Sequence, residues 1–148
     1  MPKTTIFIAS SVGAKSQANA LVTEFTSETL DFIPWWNAFT PGKTLLSELD
    51  SIKKQINGAL ILLSPEAPAT IRGNSTAIPS QNVLFEFGFF YGALGPQKVG
   101  VIKYGDYYIP SDLGGYIHIS GSKFSQPGKI AQVGKKTKDD FKKWIAQL

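Results

Sequence analysis

The chain contains no cysteine and a single histidine, His118, in 148 residues. Without thiols there are no disulfides, no thiolate nucleophile and no thiolate metal ligands. One imidazole, set in a short strand-like run, leaves Cys-His pairs, His-rich zinc sites and Ser-His-Asp triads without a basis. Long apolar runs are missing too. No segment approaches the roughly 20 residues that a membrane helix requires, and the opening "MPKTTIFIAS" enters a strand-like run directly. The expectation is a soluble, cytoplasmic domain that uses carboxylate, hydroxyl, Lys/Arg and backbone chemistry. A basic stripe is absent as well. The net charge is +4, yet residues 1–120 hold eight Lys/Arg against nine Asp/Glu, while residues 121–148 hold seven Lys against two Asp. Basicity is therefore confined to the tail, and the folded body offers no nucleic-acid footprint.

What is present suffices for one buried core: 43% hydrophobic residues, with ten Phe, five Tyr and three Trp. Residues 5–9 read as a buried strand that ends in the small, polar "SSVG". Ala14, Ala18, Leu21, Val22 and Phe25 recur at helical spacing. Residues 30–36 form a second strand, and Thr44 caps a helix whose core face is Leu45, Leu49, Ile52 and Ile56. "GALILLS" is continuously apolar, as in a strand covered on both faces. An irregular stretch over 65–79 leads to a helix over 80–94. A fourth strand spans 98–104, "PSDLGG" is a turn or short helix, and 116–119 is a short fifth strand. Strands alternating with helices predict an α/β domain with a flavodoxin-like parallel sheet, order 2-1-3-4-5, and helices on both faces. The expected division is a nucleotide-binding domain over 1–120, then a basic linker and amphipathic helix over 121–148. Phe141, Trp144, Ile145 and Leu148 share one face of that helix. It either packs back on the domain or leads to a further sensor module.

Ligands of such sheets bind outside the carboxyl ends of the strands. Ser10, Ser11, the 36–42 loop, the 64–79 loop and the start of the 80–94 helix are expected on that rim. "PGKT" at residues 41–44 follows a strand and opens a helix, but a phosphate loop needs glycine at the position held by Asn37. Lys43 is then a solvated lysine. The helix "NVLFEFGFFYGALG" is the informative element. It is apolar nearly all round, so it should be buried, and Glu86 within it must be paired, neutralised or facing a cavity. An ion pair with Arg72, or a helix edge exposed to water, is the structural alternative to a functional carboxylate. Of the adjacent Trp35 and Trp36, one should face the core and the other, with Phe39, is free to stack on a flat ring.

These residues resemble the bacterial TIR-like nucleotide-binding family, which includes effectors of anti-phage signalling and TIR domains fused to STING-like sensors. The likeness runs from Ile6 to about Ile119. It rests on "IASS" with Gly13, on "WNAFTPG" followed by "LLSEL", on "SPE", on Arg72-Gly73, on the Glu86 helix and on "PSDLGG". It implies that Glu86 is the catalytic residue of an NAD+ glycohydrolase, with NAD+ as substrate, no cofactor and no metal. Ser10, Ser11, Trp36, Phe39, Arg72 and Asn82 are the implied substrate contacts. Implied partners are further copies of the chain, in oligomers or filaments, and a fused or separate cyclic-nucleotide sensor; neither membrane nor nucleic acid is among them. Two departures stand out. Many relatives carry Arg-Asp before the motif asparagine, where this chain has Ser80-Gln81, and many TIR enzymes carry tryptophan where it has Asn82.

The chemistry suits the composition. Most glycosidases need one carboxylic acid to protonate a poor leaving group and a second carboxylate. Nicotinamide is already a pyridinium and departs neutral, so one carboxylate that stabilises the ribosyl cation is enough. Two other readings stand beside this one: a nucleoside 2-deoxyribosyltransferase-like enzyme, whose glutamate also precedes glycine by two residues, and a non-catalytic TIR interaction or nucleotide-binding module.

Overall fold

The computed structural model describes residues 2–109, 119–121 and 133–148. Its organising element is β3 (Gly58–Leu63), in which every residue is buried. A strand without a polar position needs an apolar layer on each face, and the chain supplies both. β3 lies at the centre of a five-stranded sheet ordered β2-β1-β3-β6-β7, formed with β1 (Thr4–Ala9), β2 (Leu30–Pro34), β6 (Val99–Lys103) and β7 (Ile119–Ser120). All its pairings are parallel, with Ile8 opposite Leu60 and Ile61 opposite Val101. Counted along this sheet alone, the order is the expected 2-1-3-4-5. The numbering differs because two further strands intervene between β3 and β6.

Those two strands correct the expectation of an irregular stretch over 65–79. β4 (Ala67–Ile71) and β5 (Asn74–Ile78) form a separate antiparallel hairpin, with Ile71 opposite Asn74. Its two-residue turn holds Arg72 at φ 50° and Gly73 at φ 80°. Two consecutive positive φ values match the right-handed twist of a tight hairpin, and glycine takes the second without steric penalty. Of the expected fifth strand over 116–119, residues 116–118 lie outside the described residues, as does the "PSDLGG" turn, and Ile119 belongs to β7. The second strand also stops short of expectation, because Trp35–Asn37 turn into a 3-10 helix.

Alternation along the strands divides the core. Ile6, Ile8, Leu60, Leu62 and Ile102 point to one face, where they meet Ala18 and Leu21 of α1 (Lys15–Phe25) and Phe141 and Trp144 of α4 (Lys135–Ile145). Phe7, Ala9, Ala59, Ile61, Leu63 and Val101 point to the other. There they meet Leu49 and Ile52 of α2 (Leu45–Ile52) and Val83, Phe87 and Phe90 of α3 (Gln81–Leu94). Thr44 caps α2 by accepting from the Ser47 N–H, and Lys43 lies 3.9 Å from Glu48. Among the described residues, no helix is long and apolar enough to cross a membrane.

α4 is seated on the sheet by specific contacts. Thr137 Oγ1 donates to the Ser120 carbonyl, the Ser120 N–H donates to Asp140 Oδ2 at 3.1 Å, and Trp144 Nε1 donates to the Gln97 carbonyl at 3.1 Å. The indole of Trp144 lies directly over Gly100, so close that a Cβ there would stand 2.9 Å from the ring. Gly100→Ala should therefore overpack this face and lower stability by about 1–3 kcal/mol. Urea unfolding, read as a lower midpoint at unchanged slope, checks it; a midpoint equal to wild type would mean that the indole is not seated on β6.

Candidate functional site at the carboxyl rim of the sheet

Parallel strands bring their carboxyl ends to one rim, and each end exposes backbone that apolar side chains no longer cover. β1 ends into Ser10 and Ser11, β2 into Trp35 and β3 into Ser64. Ser10 Oγ donates to the Ser11 carbonyl at 2.9 Å and accepts from Trp35 Nε1 at 2.8 Å, and Ser11 Oγ lies 3.4 Å from Ser64 Oγ. The three serines are buried. Neither Ser10 nor Ser11 caps the following helix with its side chain. Their hydroxyls instead tie three strand ends together.

α3 returns from this rim to the amino end of β6, so its N-terminus lies on the rim. Ser80 caps it by accepting from the Val83 N–H. Glu86 sits in the second turn, on the stripe of Val83 and Phe90 that faces the sheet. Glu86 is only 6% exposed, and its Oε2 is buried without a hydrogen-bond partner. Burial alone raises the Glu86 pKa to about 7. Among the described residues, no cation pairs with it. The ion pair with Arg72 left open by the sequence is not formed, since Arg72 is exposed on the hairpin turn. The expectation that α3 is buried all round also fails. Phe85 is 48% exposed, and open space faces Gly88 and Gly92. The reason is architectural: one helix layer covers each sheet face, so the outer side of α3 is surface.

The aromatic residues divide by face. Trp35 packs with the α2/α3 layer and Trp36 with the α1/α4 layer, where Lys15 Nζ lies 5.3 Å from its ring centroid. Thus Trp36 is on the side of the sheet away from Glu86, whereas Trp35 shares its side. Phe39, 37% exposed, meets the edge of Phe7, which in turn meets Phe90 of α3. Asn82 is exposed one turn before Glu86. Ser10, Ser11 and Ser64 are thus joined in one cluster at the strand ends, with Phe39 and Glu86 sharing the α2/α3 layer; Trp36 and Arg72 lie apart from both. Ser64 opens the 64–79 loop expected on the rim, and its hydroxyl joins the cluster; of the two tryptophans, Trp35 is the one that reaches it.

A five-stranded parallel sheet covered by helices on both faces, with one unpartnered carboxylate oxygen in a helix layer, defines an α/β domain of the doubly wound class. Sequence comparison makes the assignment specific. The profile of the CAP12/Pycsar effector protein TIR domain matches residues 5–123, and the chain belongs to that family. It is 36% identical over 127 residues to CD-NTase-associated protein 12 of Sphingobacterium faecium, an alignment that covers 84% of this chain and 37% of the relative. A protein of the same name from a Lachnospiraceae bacterium is 32% identical over 111 residues, 75% of this chain and 35% of that protein. The Pycsar effector protein PaPycTIR of Pseudomonas aeruginosa is 29% identical over 114 residues, 74% of this chain and 37% of that protein. The chain thus spans little more than a third of the length of these curated relatives.

The state of Glu86 has a consequence for stability. Its folded pKa of about 7 lies above the ordinary value of 4.5, so the folded protein holds this proton more tightly than the unfolded chain. Stability is then lost as pH rises from about 4.5 to about 7, on the order of 3 kcal/mol in all. Glu86→Gln should melt at a higher temperature than wild type at pH 8, with the gap closing towards pH 4.5. Thermal unfolding of both proteins across that range checks it, and a gap independent of pH would contradict the orphaned carboxylate.

Proposed function

We propose that this domain is an NAD+ glycohydrolase with Glu86 as its catalytic residue. The observation that carries the reading is the buried Oε2 of Glu86, which has no hydrogen-bond partner. A carboxylate in an apolar layer without a cation is complementary to a substrate that brings its own positive charge. In the proposed reaction the bond from the ribosyl carbon to the nicotinamide nitrogen breaks, and its electron pair neutralises the pyridinium. Glu86 stabilises the ribosyl cation left behind. Water then attacks that carbon and loses a proton to solvent, which yields ADP-ribose; capture by a nucleophile within the same molecule yields a cyclic form. No general acid is needed.

The domain would act as an anti-phage effector, switched on by self-association into oligomers or filaments. The relatives' names, CD-NTase-associated protein and Pycsar effector, support a cyclic-nucleotide signal, and we propose that a sensor fused to the domain or acting beside it supplies that switch.

Chromatography of products after incubation with NAD+, at dilute and crowded protein concentration, tests the reading. Wild type should release nicotinamide, and Glu86→Gln should be slower by at least ~100-fold, the scale of losing one electrostatic contact to a transition state. Turnover by Glu86→Gln at the wild-type rate would sink the assignment. Base release from deoxynucleosides in place of NAD+ would indicate a deoxyribosyltransferase-like enzyme, and tight NAD+ binding without turnover a binding module.

The pH profile is a further check. Only the ionised carboxylate stabilises a cation, and Glu86 ionises at about 7 in the free protein. The kcat/KM for NAD+ should therefore fall about tenfold per pH unit below that point and level above it. The bound pyridinium favours the ionised form, so kcat should hold its plateau to lower pH than kcat/KM. A kcat/KM flat from pH 5 to 8 would exclude Glu86 as the titrating group.

A further inference from the structure

Among the described residues, two side-chain polar atoms are buried without a hydrogen-bond partner: Glu86 Oε2 and the hydroxyl of Tyr107. Both belong to the same side of the sheet. The Tyr107 ring packs against the apolar layer that holds Val83, Phe87 and Phe90 of α3, while Lys103 Nζ lies 5.6 Å from the ring centroid. The segment that carries Tyr107 leaves β6 at the carboxyl rim and crosses it. Tyr104 N–H donates to the Leu63 carbonyl at 2.9 Å, the Gly105 Cβ position is 3.2 Å from Pro65, and Tyr108 N–H donates to the Ala77 carbonyl at 2.7 Å. Tyr107 is thereby fixed between the end of β3 and the hairpin strand that leads into α3.

A buried hydroxyl without a partner has given up its hydrogen bonds to water with nothing in exchange. One orphan is unusual, and two in one rim layer point to a ligand that satisfies both. Their chemistry is complementary. An ionised carboxylate only accepts, whereas a phenol also donates, so together they match a vicinal diol: its O–H groups donate to Glu86 and one of its oxygens accepts from Tyr107.

We propose that Tyr107 is a substrate-binding residue, whose hydroxyl donates to an oxygen of the ribose that Glu86 engages. The inference rests on the NAD+ glycohydrolase reading for the identity of that ribose.

Tyr107→Phe removes the hydroxyl and keeps the ring, its packing and its contact with Lys103. Its thermal midpoint should not fall, since the lost group makes no bond in the unliganded protein. Its affinity for ADP-ribose, measured by calorimetry, should weaken about tenfold, and its KM for NAD+ should rise accordingly. Tyr108→Phe, at an exposed neighbouring position, should match wild type in both. Unchanged affinity and KM in Tyr107→Phe would overturn the proposal, as would a loss of affinity accompanied by a lowered midpoint, the mark of a structural hydroxyl. The two readings fail separately. Wild type that hydrolyses NAD+ with no effect of Tyr107→Phe removes Tyr107 alone. Tyr107-dependent binding of ADP-ribose without NAD+ hydrolysis removes the hydrolase reading and keeps the site. Wild type that neither binds ADP-ribose nor hydrolyses NAD+ removes both.

Discussion

Complete burial of β3 on both faces governs the arrangement of everything around it. Neither side of its six residues tolerates a polar neighbour without a partner, so the helices on both faces must present apolar stripes. Polarity is pushed to the strand ends, where backbone and serine hydroxyls gather on one rim. The Ser10–Trp35 and Ser11–Ser64 contacts are the outcome. They hold the ends of β1, β2 and β3 in a fixed relation.

Against that background Glu86 is the exception. Val83, Phe87 and Phe90 each contribute about 2 kcal/mol by burial, which fastens α3 to the sheet firmly enough to carry a carboxylate on the same stripe. The raised pKa follows from desolvation alone. A structural ion pair would have lowered it, and a surface glutamate would have left it near its ordinary value. An acid held unpaired on a helix packed firmly against the sheet keeps its desolvation cost uncompensated within the folded domain. The domain that carries it belongs to the CAP12/Pycsar effector TIR family.

The hairpin and the segment after β6 complete the rim. β4 and β5 carry the chain outward from β3 and return it to Ser80, where α3 begins. Residues 104–109 lie along that return, through the Tyr108–Ala77 hydrogen bond. Tyr107 is thus brought beside the α3 layer by two elements far apart in sequence. On the opposite face α4 is held by Trp144 over Gly100 and by Thr137 and Asp140 on Ser120. Five of the tail's seven lysines and both its aspartates therefore lie on a helix whose apolar stripe belongs to the core.

Periodicity determined most of the fold at the level of sequence. The doubly buried β3, the amphipathic α1 and α2, the Thr44 cap and the parallel order all follow from apolar spacing and turn residues, which act locally. The singular position of Glu86 was legible for the same reason, because a lone acid stands out in an apolar helix. The hairpin was not, although "APATI" and "NSTAI" flank a two-residue turn, since its strands are short and lack the strong apolar alternation of a core strand. The division of Trp35 from Trp36 depended on a 3-10 turn that reorients both side chains. Whether Glu86 has a partner, and that Tyr107 shares its layer, were decided by tertiary structure alone. Burial and desolvation are properties of what surrounds a group in space, and those neighbours come from strands and loops that the sequence holds apart.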